Sequence, residues 1–144
     1  MTGRRHAFDP NPREVRMTYY FSKMLEMPID QAIPHVTEAL AAKGFGVLTT
    51  IDIAATLKKR LGVDFRPYVI LGACNPPLAY KALQSEDKIG AMLPCNVVIQ
   101  GTGEGTVEVA AVDPVASMAA VVNPSLEPVA VEVRELLKQV VAGL

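Results

Sequence analysis

Apolar and polar residues follow two different periods along this chain, and the switches between them divide it into strands and helices. Tyr19, Phe21, Leu25 and Met27 share one parity, interrupted by Lys23. With β-branched and aromatic residues concentrated there, the pattern predicts a strand over about 16–26. Ile29, Ile33, Val36 and Leu40 then recur at helical spacing and predict a helix over 30–43, with Asp30 as its N-cap and Gly44 just past its end. Pro34 is expected in or near its first turn, where a proline costs least. Residues 45–51 read as a second strand. Asp52 is expected to cap a short helix over 53–61, whose stripe is Ile53, Leu57 and Leu61 and which Gly62 ends. The third strand covers 67–73. Asn75 and Pro76 then serve as N-cap and first residue of a helix over 76–84.

After a turn at 85–90, the fourth strand is expected over 91–100. Pro94 has no N–H to give to a ladder, so it marks a strand start, an edge or a bulge. Residues 101–105 form a hairpin loop and 106–112 a fifth strand. Asp113-Pro114 turns the chain, and 115–122 fits a short helix or a strand alike. Val129, Val133, Leu136, Leu137 and Val140 define one face of a last helix over 126–142. The order is strand, helix, four strands, helix, with two short helices inserted between strands. An α+β domain satisfies it, with the two longer helices on one face of an antiparallel sheet. Strands three and four are apolar at both parities, so the other face also calls for cover, by a partner subunit or a ligand.

Composition narrows the function classes. The chain has 144 residues, half of them apolar, which suits one domain over 16–144. A net charge of −1 and the absence of Trp argue against a general nucleic-acid or membrane-surface binder. Arg4, Arg5, Arg13 and Arg16 outnumber Asp9 and Glu14, so 1–15 reads as a flexible, basic, solvated arm. With no apolar leader in the first residues and no apolar run of bilayer length, a cytoplasmic chain with reduced thiols is expected.

The candidate chemistry lies between Tyr68 and Ile99, which hold both cysteines in two near-mirror tripeptides, Cys74-Asn75-Pro76 and Pro94-Cys95-Asn96. If strands three and four are antiparallel neighbours, both thiols fall at one end of the sheet. Cys74 directly precedes a helix N-terminus, where unpaired amides and the helix dipole favour a thiolate. Asn96 sits in a strand without a capping role, so its amide is open either to hold a ligand or to satisfy a loop. Two cysteines 21 positions apart, with only His6 and His35 to help, do not make a metal site. The glycines at 101, 103 and 105 are followed by no helix and no Lys-Ser/Thr, so they are no phosphate loop.

The segments 44–49, 68–76 and 93–98 resemble domain-of-unknown-function family 302 over about 18–143. The resemblance implies a TATA-binding-protein-like fold, β-α-β4-α with a curved antiparallel sheet, and a homodimer. It implies no reaction and no cofactor. The leading expectation is a small-molecule-binding homodimer, with Cys74 and Cys95 as candidate reactive groups and Asn75, Pro94 and Asn96 as ligand contacts. The rival is a thiol-dependent enzyme or redox sensor in which Cys74 attacks and Cys95 resolves. A third reading is a purely structural subunit.

Overall fold

Five strands form one sheet: β1 (Tyr20–Leu25), β2 (Gly46–Asp52), β3 (Tyr68–Cys74), β4 (Cys95–Gly103) and β5 (Thr106–Val112). They come from a computed structural model that describes residues 18–144. The arm expected over 1–15, and the start of the first expected strand, lie outside the described residues. The spatial order is β1-β5-β4-β3-β2 and every neighbouring pair is antiparallel. The helices are α1 (Ile29–Ala42), α2 (Ile53–Leu61), α3 (Pro76–Ser85), α4 (Pro114–Ser117) and α5 (Glu127–Ala142). None of the described helices is long and apolar enough to cross a membrane.

The alternation of the strands decides what each face buries. Val69, Leu71 and Ala73 of β3, Val97 and Ile99 of β4, and Val107, Val109 and Ala111 of β5 point to one side. They pack there with Val36 and Leu40 of α1 and Leu137 and Val140 of α5. Burying each of the larger side chains stabilises the fold by about 1.5–3 kcal/mol. The polar interruption at Lys23 has a structural use. It lies on the helix side of β1, and its Nζ donates to the carbonyls of Ala142 and Leu144, each at 3.1 Å. A cation there satisfies the orphan carbonyl of Ala142 at the C-terminus of α5 and reaches Leu144 just beyond it.

The ends of α1 differ from the expected ones in instructive ways. Its N-cap is Pro28, whose carbonyl accepts from Gln31 and Ala32, while Asp30 lies in the first turn. Pro34 falls next to the first turn, early in the second, and faces solvent; there it deprives the Asp30 carbonyl of an i+4 donor. At the other end Phe45 N–H donates to Leu40 and Gly44 N–H to Ala41, with Gly44 at φ 88°. This is a Schellman cap, in which the left-handed residue favours glycine and the following Phe45 is driven into the core beside Leu40. In α2 the expected caps both form: Asp52 accepts from Ala55 N–H at 2.8 Å, and Gly62 closes the helix at φ 69°.

The fourth strand starts later than the apolar run suggested. Residues 89–92 form a 3-10 turn, Leu93–Pro94 is a cis peptide, and β4 begins at Cys95. Pro94 therefore stands at the strand start, one of the three places open to it. The hairpin is also tighter than 101–105. The strands run to Gly103 and from Thr106, leaving Glu104 and Gly105, with Gly105 at φ 74°. Ambiguity over 115–122 resolves into α4 followed by irregular chain. Met118 there joins Ala82, Ile89, Leu126 and Ala130 in a small second core. That core holds α3 against α5.

Candidate functional site

The register of β3 and β4 brings the two cysteine segments together. Ala73 pairs with Cys95, Gly72 with Asn96, and Gly46 of the edge strand with Cys74. Cys74, Asn75, Pro94 and Cys95 all line one cavity. Its walls are otherwise apolar and include Leu78, Ala79 and Ala82 from α3, and Val129, Ala130 and Val133 from α5. The volume is about 30 Å³, room for a water or two. A drug-sized molecule takes a pocket of roughly 300 Å³ or more.

Each thiol has a distinct setting. Cys95 is buried, Cys74 is half-buried, and both are free. Burial pushes the Cys95 thiol up from its ordinary 9.0 to about 11, and Cys74 adds a smaller push in the same direction. At neutral pH only roughly one Cys95 in ten thousand is a thiolate. Cys74 does stand at the N-terminus of α3, as its position before Asn75 and Pro76 requires. However, the first two helical residues are Pro76 and Pro77, which have no N–H. Ala79 N–H is taken by the Asn75 carbonyl at 2.8 Å. Leu78 N–H alone is left in the first turn to serve an anion. Asn75 holds the N-cap position, but its side chain does not cap. Its Nδ2 donates to the Lys43 carbonyl at 3.4 Å, beside Gly44, so Asn75 ties α3 to the end of α1.

A pH-dependent stability follows from Cys95. In the unfolded chain the thiol loses its proton near 9; in the folded chain it holds the proton to about 11. Between those values the native state binds more protons, so stability present below pH 9 is lost as pH rises toward 11. The loss is on the order of 3 kcal/mol. Urea titrations from pH 8 to 11 should show a steeper decline for the wild type than for Cys95→Ala. Parallel curves would remove the burial argument.

Asn96 does not join the thiol cavity. One position past Cys95, it alternates to the face of the sheet that α1 and α5 do not cover, and it is exposed. That face carries Tyr20 and Met24 of β1, Glu108 and Ala110 of β5, Val98 and Gln100 of β4, Tyr68 and Ile70 of β3, and Ile51 of β2. An open groove of about 410 Å³ runs over it. Three tyrosines, Tyr19, Tyr20 and Tyr68, line it together with Asn96, Gln100 and Glu108. The rings of Tyr19 and Tyr20 meet edge-to-face at 5.1 Å. A polar ladder crosses the strands: Arg66 Nε donates to Gln100 Oε1 at 2.8 Å, and Gln100 Nε2 donates to Glu108 Oε1 at 3.1 Å. Asn96 makes no side-chain hydrogen bond among the described residues. Next to it, Asn96 and Pro94 also line a smaller depression of about 230 Å³ with Met92 and Ser117.

A family model described as a domain of unknown function, DUF302, matches residues 21–144. The chain belongs to the DUF302 family. The crystal structure of an uncharacterized conserved DUF302 protein from Bacillus stearothermophilus superposes with a TM-score of 0.80 at 26% identity. The match covers 88% of this chain and 98% of that one. No curated protein matches. DUF302 membership agrees with the α+β fold and its five-stranded antiparallel sheet, and it carries no reaction. Among the described residues of this DUF302 chain, no three His, Cys, Asp or Glu side chains cluster to hold a metal ion. His35, the histidine among them, is exposed on α1. Apart from Asn96, sequence reasoning missed the groove residues of this DUF302 chain. Gln100 and Glu108 were legible as polar positions in strands, but only the register of β3, β4 and β5 sets them beside Tyr68.

Proposed function

We propose that this protein is a small-molecule-binding homodimer whose ligand lies in the groove on the uncovered face of the sheet. The groove itself carries the reading: at about 410 Å³ it falls within the size range of ligand pockets, and it combines aromatic walls with a few polar groups. A second copy over the same face would close the groove and cover Tyr20, Met24 and Ile51, which are 39%, 56% and 46% exposed. Asn96 is the one expected ligand contact that lines it. Native mass spectrometry of the gently purified full chain tests this. A dimer with a reproducible added mass is expected. Asn96→Ala should weaken retention about tenfold, the loss of one hydrogen bond to ligand, and Cys74→Ala should leave it unchanged. An added mass lost in Cys74→Ala and kept in Asn96→Ala would move the ligand to the thiol cavity. A bare monomer would sink both parts of the proposal.

The convergence of two free thiols on one cavity favours a second reading, in which Cys74 is a reactive or redox-sensing thiol and Cys95 its partner. A Cys74–Cys95 disulfide appearing under mild oxidation, detected by intact mass and peptide mapping, would support it.

A further inference from the structure

The groove has a chemical bias that goes beyond its size. Resting on the proposed binding there, we infer that its ligand presents an organic cation, an alkylated or primary ammonium group, to Glu108. Charge complementarity carries this. Glu108 is the one carboxylate side chain in the lining, and no lysine, arginine or histidine lines the groove among the described residues. Gln100 occupies Oε1 of Glu108. Oε2 has no partner among the described residues, so it is left to accept from, or sit beside, a positive group.

The walls suit the same ligand. Tyr19, Tyr20 and Tyr68 give the groove aromatic surface around that carboxylate, and ring faces attract cations by their quadrupole. The sheet already shows the preference at its rim: the Arg66 guanidinium lies 4.4 Å from the centroid of Phe65 and 5.7 Å from that of Tyr68. Arg66 is outside the lining. Its hydrogen bond to Gln100 Oε1 turns the Gln100 amide so that Nε2 faces Glu108, which fixes the carboxylate and leaves its second oxygen available. An anionic ligand would meet Glu108 with no compensating cation in the lining. A neutral apolar one would leave Glu108 desolvated and unpaired.

The test compares choline with 3,3-dimethylbutan-1-ol, its uncharged carbon isostere, by calorimetry and by ligand-observed NMR on the full-length protein. Choline is expected to bind at least tenfold more tightly than the isostere. Glu108→Gln, which keeps the shape and the bond from Gln100, should erase most of that difference, and Tyr68→Leu should weaken choline several-fold. Equal binding of the two probes, both lost in Tyr68→Leu, would overturn the cation inference while the groove stands. No binding of either probe, with a dimer that Tyr20→Glu dissociates in light scattering, would mean that a second copy fills the face; it would overturn the cation inference and the ligand-binding part of the proposed function while the homodimer stands. Binding that survives unchanged in both variants would place the probe elsewhere and overturn the inference as well.

Discussion

Replacing Gly72 by alanine is expected to destabilise the protein by about 3 kcal/mol, the upper part of the range for forcing extra volume into a packed site. In an ordinary strand position the same change would help, because alanine loses less chain entropy than glycine. Here the backbone is extended and its conformation is open to any residue; the obstacle is space. A Cβ on Gly72 would lie 2.7 Å from Pro94 Cγ and closer still to Thr49 Oγ1. Gly72 sits in β3 between Thr49 of β2 and Asn96 of β4, so side chains from both sides close over it on the uncovered face. Chemical denaturation of wild type and Gly72→Ala measures the effect. Thr49→Ala added to Gly72→Ala should recover part of the loss, with Pro94 retaining the rest. A neutral or stabilising Gly72→Ala would show that the two side chains move aside freely.

Asp113→Ala should cost about 2–3 kcal/mol. Asp113 is the buried charged residue among the described ones, and it does two jobs. Its Oδ1 accepts from Val115 N–H at 3.0 Å, capping α4. Its Oδ2 accepts from Arg134 Nε of α5 at 3.2 Å. Its own N–H donates to the Tyr19 carbonyl at 2.7 Å, so the same residue ties the end of β5 to the chain entering β1. Arg134 lies 5.4 Å from the Phe21 ring centroid and also pairs with Glu135 at 2.8 Å. A third of the Arg134 side chain is exposed, so solvent screens the ion pair and the cap supplies much of the cost. Asp113→Asn should therefore lose only about 1 kcal/mol, since the amide oxygen can still cap. Thermal and urea unfolding of the two variants separates the contributions. An Asp113→Ala variant as stable as Asp113→Asn would remove the capping role.

How much of this was legible in the sequence follows from the range of the interactions involved. The local elements were: Ile53, Leu57 and Leu61 mark α2, Asp52 and Gly62 cap it, and Gly44 ends α1, because caps and periodicity are settled within a few residues. Where a local rule failed, another local group had won. Pro28 took the N-cap from Asp30 by offering its carbonyl, and the 3-10 turn at 89–92 with Pro94 held β4 back to Cys95. The pairing of β3 with β4, and with it the nearness of Cys74 to Cys95, was also within reach, since a short helical connection between two apolar strands favours neighbours.

What the sequence by itself determined, then, was the α+β class, the order of its elements and the grouping of the two cysteine segments at one end of the sheet. Only the tertiary structure decided that Asn96 turns away from the thiols, that the thiol cavity is water-sized, and that Lys23 serves the end of α5. It alone set Tyr20, Tyr68, Gln100 and Glu108, drawn from four strands, on one uncovered face. The physical reason is that side-chain alternation has a period of two. A residue's face is known from its own strand, but its neighbours across the sheet depend on strand order and register, which long-range packing chooses.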